Sequence, residues 1–245
     1  MGGAGAFLRA EWRHLAILNY EVEPSALAPL VPRGTELDLW NGRCLASAVG
    51  FLFLRTRVLG VAVPFHTDFP EVNLRFYVRR REQGAWRRGV VFVKEIVPRA
   101  AIAWVARTFY GERYVALPMS WRIERGTERD AAVRGASYRW RSGGRDEGLE
   151  VGDAGPPEEL VPGSEAEFVV EHYWGYVARR DGTTVEYGVE HPPWRLAPAR
   201  RARLDADVTS LYGEAFGEPL ARPPVSAYLV EGSGVTVRRG ARLAP

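Results

Sequence analysis

Four polar side chains alternate with apolar ones along the stretch FHTDFPEVNLRFYV, residues 65–78. The polar row consists of Glu71, Asn73, Arg75 and Tyr77. Because alternate side chains of a β-strand point to opposite faces, these four share one face. Such a face is either wetted by solvent or lines a cavity. In a cavity, a buried carboxyl has a raised pKa and can act as a general acid or base, and an Arg guanidinium can hold a carboxylate.

The spacing of the row keeps its charges apart. The Cα atoms of Glu71 and Arg75 are about 13 Å apart on an extended strand, which is too far for a local ion pair. Each group therefore needs water, a cross-strand partner or a ligand.

A second polar and aromatic segment is EFVVEHYWGY, residues 167–176. As a strand it places His172, Trp174 and Tyr176 on one face and Glu171 and Tyr173 on the other. An imidazole among amphipathic aromatic rings can line a ligand pocket. The same pattern also fits a sheet face that is covered by a loop.

The chain has one lysine, Lys94, and one cysteine, Cys44. A desolvated Lys94 could form a Schiff base, but a lysine near a strand end more often extends its ammonium group to solvent. Cys44 has only Arg43 as a basic neighbour, so it is interpreted as a small core residue.

No other motif indicates catalysis or a cofactor. Histidines have no helical metal-ligand spacing, and cysteine pairs are lacking, so no metal site is expected. There is no G-x-S-x-G motif, no P-loop and no dinucleotide fingerprint, so no cofactor is expected.

The composition is that of a globular protein, with 46% hydrophobic and 26% charged residues in 245. The net charge of +3 comes from scattered arginines, without a groove-reading motif, so nucleic-acid binding is not expected. No secretion signal or membrane span is visible, which predicts a cytoplasmic protein. The expected partner is a small organic ligand, and assembly with further copies of the chain stays open.

Strand patterns dominate and predict a mainly β, α+β fold in a single domain, residues 1–245. Residues 84–97 predict a turn and then a strand, with Val91, Val93, Glu95 and Val97 on one face and Phe92, Lys94 and Ile96 on the other. Asp181-Gly182 predicts a hairpin. Residues 141–165, rich in Gly, Pro and acids, predict a long loop.

Three helices are expected among the strands. They fall in residues 23–32 with Ser25 as a candidate N-cap, in residues 97–111, and in residues 205–217. Many strands with few helices favour a closed or nearly closed antiparallel sheet.

Several motifs together resemble the YqjF-like family of unknown function, grouped with the acetoacetate decarboxylase-like superfamily. They are WRHLAILNYEVEPSALAPLVPRGTELDLWNGRCLASAVGF, FPEVNLRFYV, VARTFYGERYVALPM and VEHPPW, in this order. The resemblance implies a cone-shaped, mostly antiparallel β-barrel with flanking helices and an internal cavity. It also implies that Glu71 is the counterpart of a cavity glutamate in the decarboxylases.

The decarboxylases take their Schiff-base lysine from a motif that ARTFYGERYV resembles. Arg107 and Gly111 match that motif, but Thr108 replaces its acid, and Tyr114 and Val115 stand where its two lysines would be. Lysine-imine chemistry at this place is therefore not expected.

Two hypotheses follow for the cavity. The first is an enzyme, such as a carbon–carbon or carbon–oxygen lyase acting on a small oxo acid, with Glu71 as the catalytic acid or base. The second is a non-catalytic protein that binds a small organic molecule. The candidate ligand-binding residues are Asn73, Arg75, Tyr77, Arg107, Tyr114 and His172.

Overall fold

The computed structural model describes residues 5–101, 113–126 and 132–243. Its strands are β1 (Ala6–Glu21), β2 (Glu36–Leu37), β3 (Leu45–Val58), β4 (Phe69–Glu82), β5 (Ala85–Val97), β6 (Tyr114–Ala116), β7 (Met119–Arg125), β8 (Val133–Ser142), β9 (Arg145–Ala154), β10 (Trp174–Ala178), β11 (Thr184–Glu190), β12 (Leu196–Asp205), β13 (Ser226–Arg238) and β14 (Ala241–Arg242). The helices are α1 (Pro24–Leu27), followed by a 3-10 turn at Ala28–Leu30, then α2 (Glu165–Val170), α3 (Val208–Tyr212) and α4 (Glu214–Ala221).

Seven strands close into a ring. Its order is β11-β10-β5-β4-β3-β1-β13, and a short pairing of Val189 and Glu190 with Val237 and Thr236 joins β13 back to β11. All neighbours in the ring are antiparallel except β10 and β5. Because closure pairs the strand edges, the ring encloses a space that side chains on one face of each strand must fill or line.

A second sheet layer packs on the outside of the ring. It continues from β13 through β12, β9 and β8 to β7. The larger core lies between the two layers and includes Leu74 and Phe76 of β4 and Tyr138 of β8. Gly50 permits the close approach, because a Cβ there would overlap the Tyr138 ring. The mainly β prediction with few helices is confirmed.

The smaller core faces the inside of the ring. It includes Phe51, Phe53 and Phe69, and it is joined by three buried side chains of α2, Phe168, Val169 and Val170. Helix α2 therefore lies against the ring interior and supplies apolar cover there.

The predicted loop at residues 141–165 is wrong over most of its length. Residues up to Ser142 belong to β8, and Arg145–Ala154 form β9, joined by a tight turn at Gly143 and Gly144. Both glycines have positive φ, which suits a two-residue hairpin turn. Of the acids in this segment, Asp146 and Asp153 are exposed on β9, whereas Glu147 is buried there.

The helix predictions are partly confirmed. Residues 205–217 contain α3 and the start of α4, and α1 lies where a short helix was predicted. Ser25 is not its N-cap, because the helix begins at Pro24 and Glu23 precedes it. The predicted helix at residues 97–111 falls mostly outside the described residues. In the part of the chain that the structure describes, no helix is long and apolar enough to cross a membrane.

The predicted faces of β5 hold for residues 94–97 but are wrong for Val91, Phe92 and Val93, because the strand contains a bulge. Leu74 pairs with Lys94, but Arg75 pairs with Phe92, so Val93 has no partner in the ladder. An extra residue of this kind shifts the alternation by one. Phe92 and Glu95 consequently point to the same face of the sheet as the polar row of β4, where they are the cross-strand neighbours of Arg75 and Asn73.

A buried carboxylate stabilises the outer layer. Glu147 accepts hydrogen bonds from Trp140 Nε1 at 2.6 Å and from the backbone N–H of Asp207 at 3.0 Å, where α3 begins. We expect Glu147→Ala to lower the free energy of unfolding by about 1–3 kcal/mol, since the buried indole N–H loses its partner. Denaturant unfolding measures this loss. Glu150→Ala, on the same strand with a partly exposed carboxylate beside Arg201, is the control, and an equal loss there would contradict the assignment.

Candidate functional site

The ring encloses a cavity of about 200 Å³. One part of its wall carries polar side chains from three strands and from the residues that precede β10. These side chains are Glu71, Asn73, Arg75, Glu95, Tyr114 and His172. The predicted polar row of β4 therefore faces a cavity over three of its four positions, rather than bulk solvent.

Glu71 lies at the centre of this wall and is only 3% exposed. Its Oε1 accepts a hydrogen bond from Asn73 Nδ2 at 3.1 Å, and its Oε2 accepts one from Tyr114 Oη at 3.0 Å. Burial raises the pKa of Glu71 to about 7, against the opposing effect of these two hydrogen bonds. A carboxyl with that pKa is populated in both protonation states near neutral pH, which suits proton transfer.

Arg75 supplies a positive charge to the same wall. Its Nη2 donates to the backbone carbonyl of Val169 in α2 at 2.9 Å, while its Nε has no hydrogen-bond partner among the described residues. Within that part of the chain, no carboxylate lies within 4.0 Å of the guanidinium. Because isolated charges in a partly buried site are costly, this cation is complementary to an anionic ligand.

His172 faces the cavity as a neutral imidazole. Burial, and then the positive charges of Arg88 and Arg75, hold the pKa of His172 well below its usual range. Neither ring nitrogen has a hydrogen-bond partner in the described chain. One nitrogen can therefore donate to a ligand and the other can accept from it.

Tyr77, predicted as a ligand-binding residue, lies behind the cavity wall. Its ring stacks on His172 with a centroid distance of 4.7 Å. Its hydroxyl lies 2.5 Å from Ser47 Oγ, and Ser47 in turn donates to Asn19 Oδ1 at 2.6 Å. Tyr77 therefore holds the imidazole in place and is not among the residues that line the cavity.

Glu95 is a further cavity residue, and the sequence pattern alone did not mark it as one. It is 2% exposed, and the register makes it the cross-strand partner of Asn73. Glu71 is its diagonal neighbour, about 7–8 Å away between Cα atoms. Two carboxyl groups, those of Glu71 and Glu95, thus share one wall. Phe92 lies on the same wall because of the bulge at Val93, which the alternation pattern does not show.

The remaining candidates fall elsewhere. Arg107 lies outside the described residues. Lys94 is not among the residues that line the cavity, and its cross-strand partner Leu74 belongs to the core outside the ring. Burial, and then the charge of Arg113, lower the pKa of Lys94. Cys44 is buried, which raises its pKa to about 11 and agrees with a core role.

A protein-family model matches most of the chain. The model for DUF2071, described as an uncharacterized conserved protein, matches residues 9–233. This chain belongs to the DUF2071 family. One relative, the uncharacterized protein YqjF of Bacillus subtilis strain 168, is 27% identical over 217 residues, which are 84% of this chain and 81% of YqjF.

Solved structures show which fold this DUF2071 member shares. Acetoacetate decarboxylase from Legionella pneumophila superposes with a TM-score of 0.64 at 16% identity, covering 98% of this chain and 88% of the decarboxylase. The enduracididine biosynthesis enzyme MppR, solved with pyruvate, gives a TM-score of 0.66 at 14% identity, covering 100% of this chain and 92% of MppR. The acetoacetate decarboxylase-like fold predicted from the sequence is confirmed.

Proposed function

We propose that the cavity binds a small oxo acid or a similar organic carboxylate, and that Glu71 exchanges a proton with it. The observation that carries this proposal is Arg75, a cavity guanidinium with no carboxylate near it in the described chain. A ligand carboxylate would accept hydrogen bonds from this group. MppR, a protein of the same fold, has been solved with pyruvate, and this supports an oxo acid as the ligand class.

The size of the cavity also supports a small ligand. About 200 Å³ is below the range of roughly 300–1,000 Å³ that is usual for sites of drug-sized molecules. A cavity of this size favours a small molecule over a nucleotide or a peptide.

Glu71 would act on the carbon beside the ligand carbonyl. Its carboxylate would take a proton from that carbon. The electron pair of the broken C–H bond would form a C=C bond to the carbonyl carbon, and the π electron pair of the carbonyl would move to its oxygen. His172, a neutral imidazole without a present partner, could donate a hydrogen bond to that oxygen. The step forms an enolate and a protonated Glu71, and its reversal returns the proton.

A non-catalytic binding protein is the second candidate function. It is favoured by Tyr114, which stands where the resemblance places a catalytic lysine and whose hydroxyl instead donates to Glu71. Exchange of ligand protons with deuterium separates the two candidates. Proton NMR in D₂O would show protein-dependent loss of the C3 signal of 2-oxobutanoate for the enzyme, and binding without exchange for the second candidate.

Calorimetric titration tests the proposed ligand class. We expect 2-oxobutanoate to bind at least about tenfold more tightly than 2-oxobutanamide, which has the same shape and no charge. Equal affinities for the acid and the amide, or binding of neither, would contradict the proposal.

The chain can be tested separately for imine chemistry. Because Lys94 is the only lysine, borohydride reduction in the presence of pyruvate can label only Lys94 or the N-terminal amine. We expect no adduct on the peptide that contains Lys94, since this side chain does not line the cavity. Mass spectrometry of a proteolytic digest detects such an adduct, and Lys94→Arg is the control. A pyruvate-derived mass on Lys94 would contradict the expectation.

A further inference from the structure

The part of the cavity away from Arg75 is built from aromatic side chains. Phe53 is at its centre, with its ring centroid 4.7 Å from that of Phe69, 5.1 Å from Phe51 and 5.8 Å from Trp12. All four side chains line the cavity. The edge-to-face and stacked arrangements are those that aromatic rings prefer, and an added ring could join them.

Strand register orders the cavity from charged to aromatic. On β3 and β4, Ser47 pairs with Arg75, Phe51 pairs with Glu71, and Phe53 pairs with Phe69. On β1, Trp12 pairs with Phe53. The aromatic end therefore begins at Phe51, level with Glu71 and four strand positions from Arg75, which is about 13 Å along the strand.

The volume allows a ring as well as a carboxylate. An engineered apolar protein cavity of about 150 Å³ holds a benzene molecule. The present cavity, at about 200 Å³, has room for a ring and a short acidic chain. Pyruvate alone would contact the polar wall and leave the aromatic end without a partner.

We propose that the ligand is a small carboxylate that carries an aromatic ring. Its carboxylate would lie at Arg75, its reactive carbon beside Glu71, and its ring among Trp12, Phe51 and Phe53. The inference rests on the proposed function and narrows its ligand class. Trp12 Nε1 and Thr56 Oγ1 have no hydrogen-bond partner among the described residues, so the aromatic end can also receive one polar ring substituent.

Matched pairs of acids test the inference. Calorimetric titration compares propanoate with 3-phenylpropanoate, and 2-oxobutanoate with 4-phenyl-2-oxobutanoate. We expect each phenyl acid to bind at least about tenfold more tightly than its partner, because the ring is removed from water. Equal affinities within each pair would overturn the aromatic inference and leave the proposed function standing. Failure of all four acids to bind would overturn both.

A conservative variant locates the ring. Phe53→Leu keeps an apolar side chain but removes the aromatic contact. We expect the affinity for the phenyl acids to fall at least about threefold, and the affinity for propanoate to stay unchanged. Phe65→Leu, at a position that is 84% exposed and does not line the cavity, is the matched control. Equal effects of the two substitutions on affinity would overturn the placement of the ligand ring at Phe53.

A measurement on the unaltered protein keeps the test independent of how Phe53→Leu folds. In saturation-transfer NMR of bound 3-phenylpropanoate, we expect the ring protons to receive more saturation than the methylene beside the carboxylate, because packed apolar walls surround the ring. The reverse order would overturn the inference.

Discussion

Replacing Arg75 by methionine is expected to weaken the binding of small carboxylates by on the order of 30-fold or more, which is the usual effect of removing one partner of a buried charged pair. Methionine keeps the length and the apolar stem of the side chain but removes the charge. It also removes the hydrogen bond to the Val169 carbonyl, so the melting temperature must be measured alongside. Calorimetric titration with 2-oxobutanoate gives the affinity.

A second arginine of the same strand provides the control for this substitution. Arg81 is exposed, lies beside Trp86 and does not line the cavity. Arg81→Met changes the net charge of the protein by the same amount, and we expect it to leave the affinity unchanged. A similar loss in both variants would show that carboxylates respond to the overall charge and not to the cavity.

Replacing Glu71 by glutamine is expected to remove proton exchange while keeping ligand binding. A positioned general base contributes about 10²–10⁴-fold to a proton transfer, so the exchange rate of the C3 protons of 2-oxobutanoate should fall by that factor. Glutamine preserves the size and one oxygen acceptor. Exchange that continues at the original rate would contradict the role of Glu71, and loss of ligand binding would contradict the separation of its role from that of Arg75.

The raised pKa of Glu71 also predicts how binding depends on pH. Below about pH 7 the carboxyl is protonated and neutral, whereas above it the charged form would repel a bound carboxylate. Affinity for carboxylates should therefore fall as the pH rises through about 7. In Glu71→Gln this decrease should be absent, and the same pH dependence in both proteins would assign it to another group.

Protein stability gives an independent check of that pKa. The pKa of Glu71 is about 7 in the fold, against 4.5 for an ordinary glutamate, so between these values the folded state keeps a proton that the unfolded chain has lost. The free energy of unfolding should therefore decrease as the pH rises from about 4.5 to about 7. Glu71→Gln lacks this contribution, so its stability relative to the original protein should increase over that range.

The alternation of polar and apolar residues predicted the β4 wall well but the β5 wall poorly. Glu71, Asn73 and Arg75 share a face because β4 is regular along this stretch. In β5, Val93 has no partner in the ladder with β4, so the faces of the residues before it are reversed relative to strict alternation. A bulge depends on the pairing partner, and a sequence of alternating apolar residues does not contain that information.

Two local signals in the sequence indicate elements that the alternation and the composition do not. Ser164 followed by Glu167 is a capping-box pattern, and Ser164 Oγ indeed accepts a hydrogen bond from the Glu167 N–H at the start of α2. Gly143-Gly144 between two alternating segments is a hairpin signal. The first signal favours the helix α2 over a strand, and the second favours the β8–β9 hairpin over a long loop.

The position of Tyr77 shows a further limit of sequence patterns. It shares a face with Glu71, Asn73 and Arg75, as predicted, but His172 stacks on it and separates it from the cavity. His172 comes from a segment about 95 residues later in the chain, so only the folded structure shows which of the two side chains lines the cavity.

A crystal structure of the protein soaked with 2-oxobutanoate at about pH 6, below the pKa of Glu71, tests the central claim most directly. We expect the ligand inside the ring, with its carboxylate within hydrogen-bond distance of the Arg75 guanidinium and its C3 carbon, next to the carbonyl, beside Glu71. A ligand bound only outside the ring, or inside it with its carboxylate away from Arg75, would contradict the account.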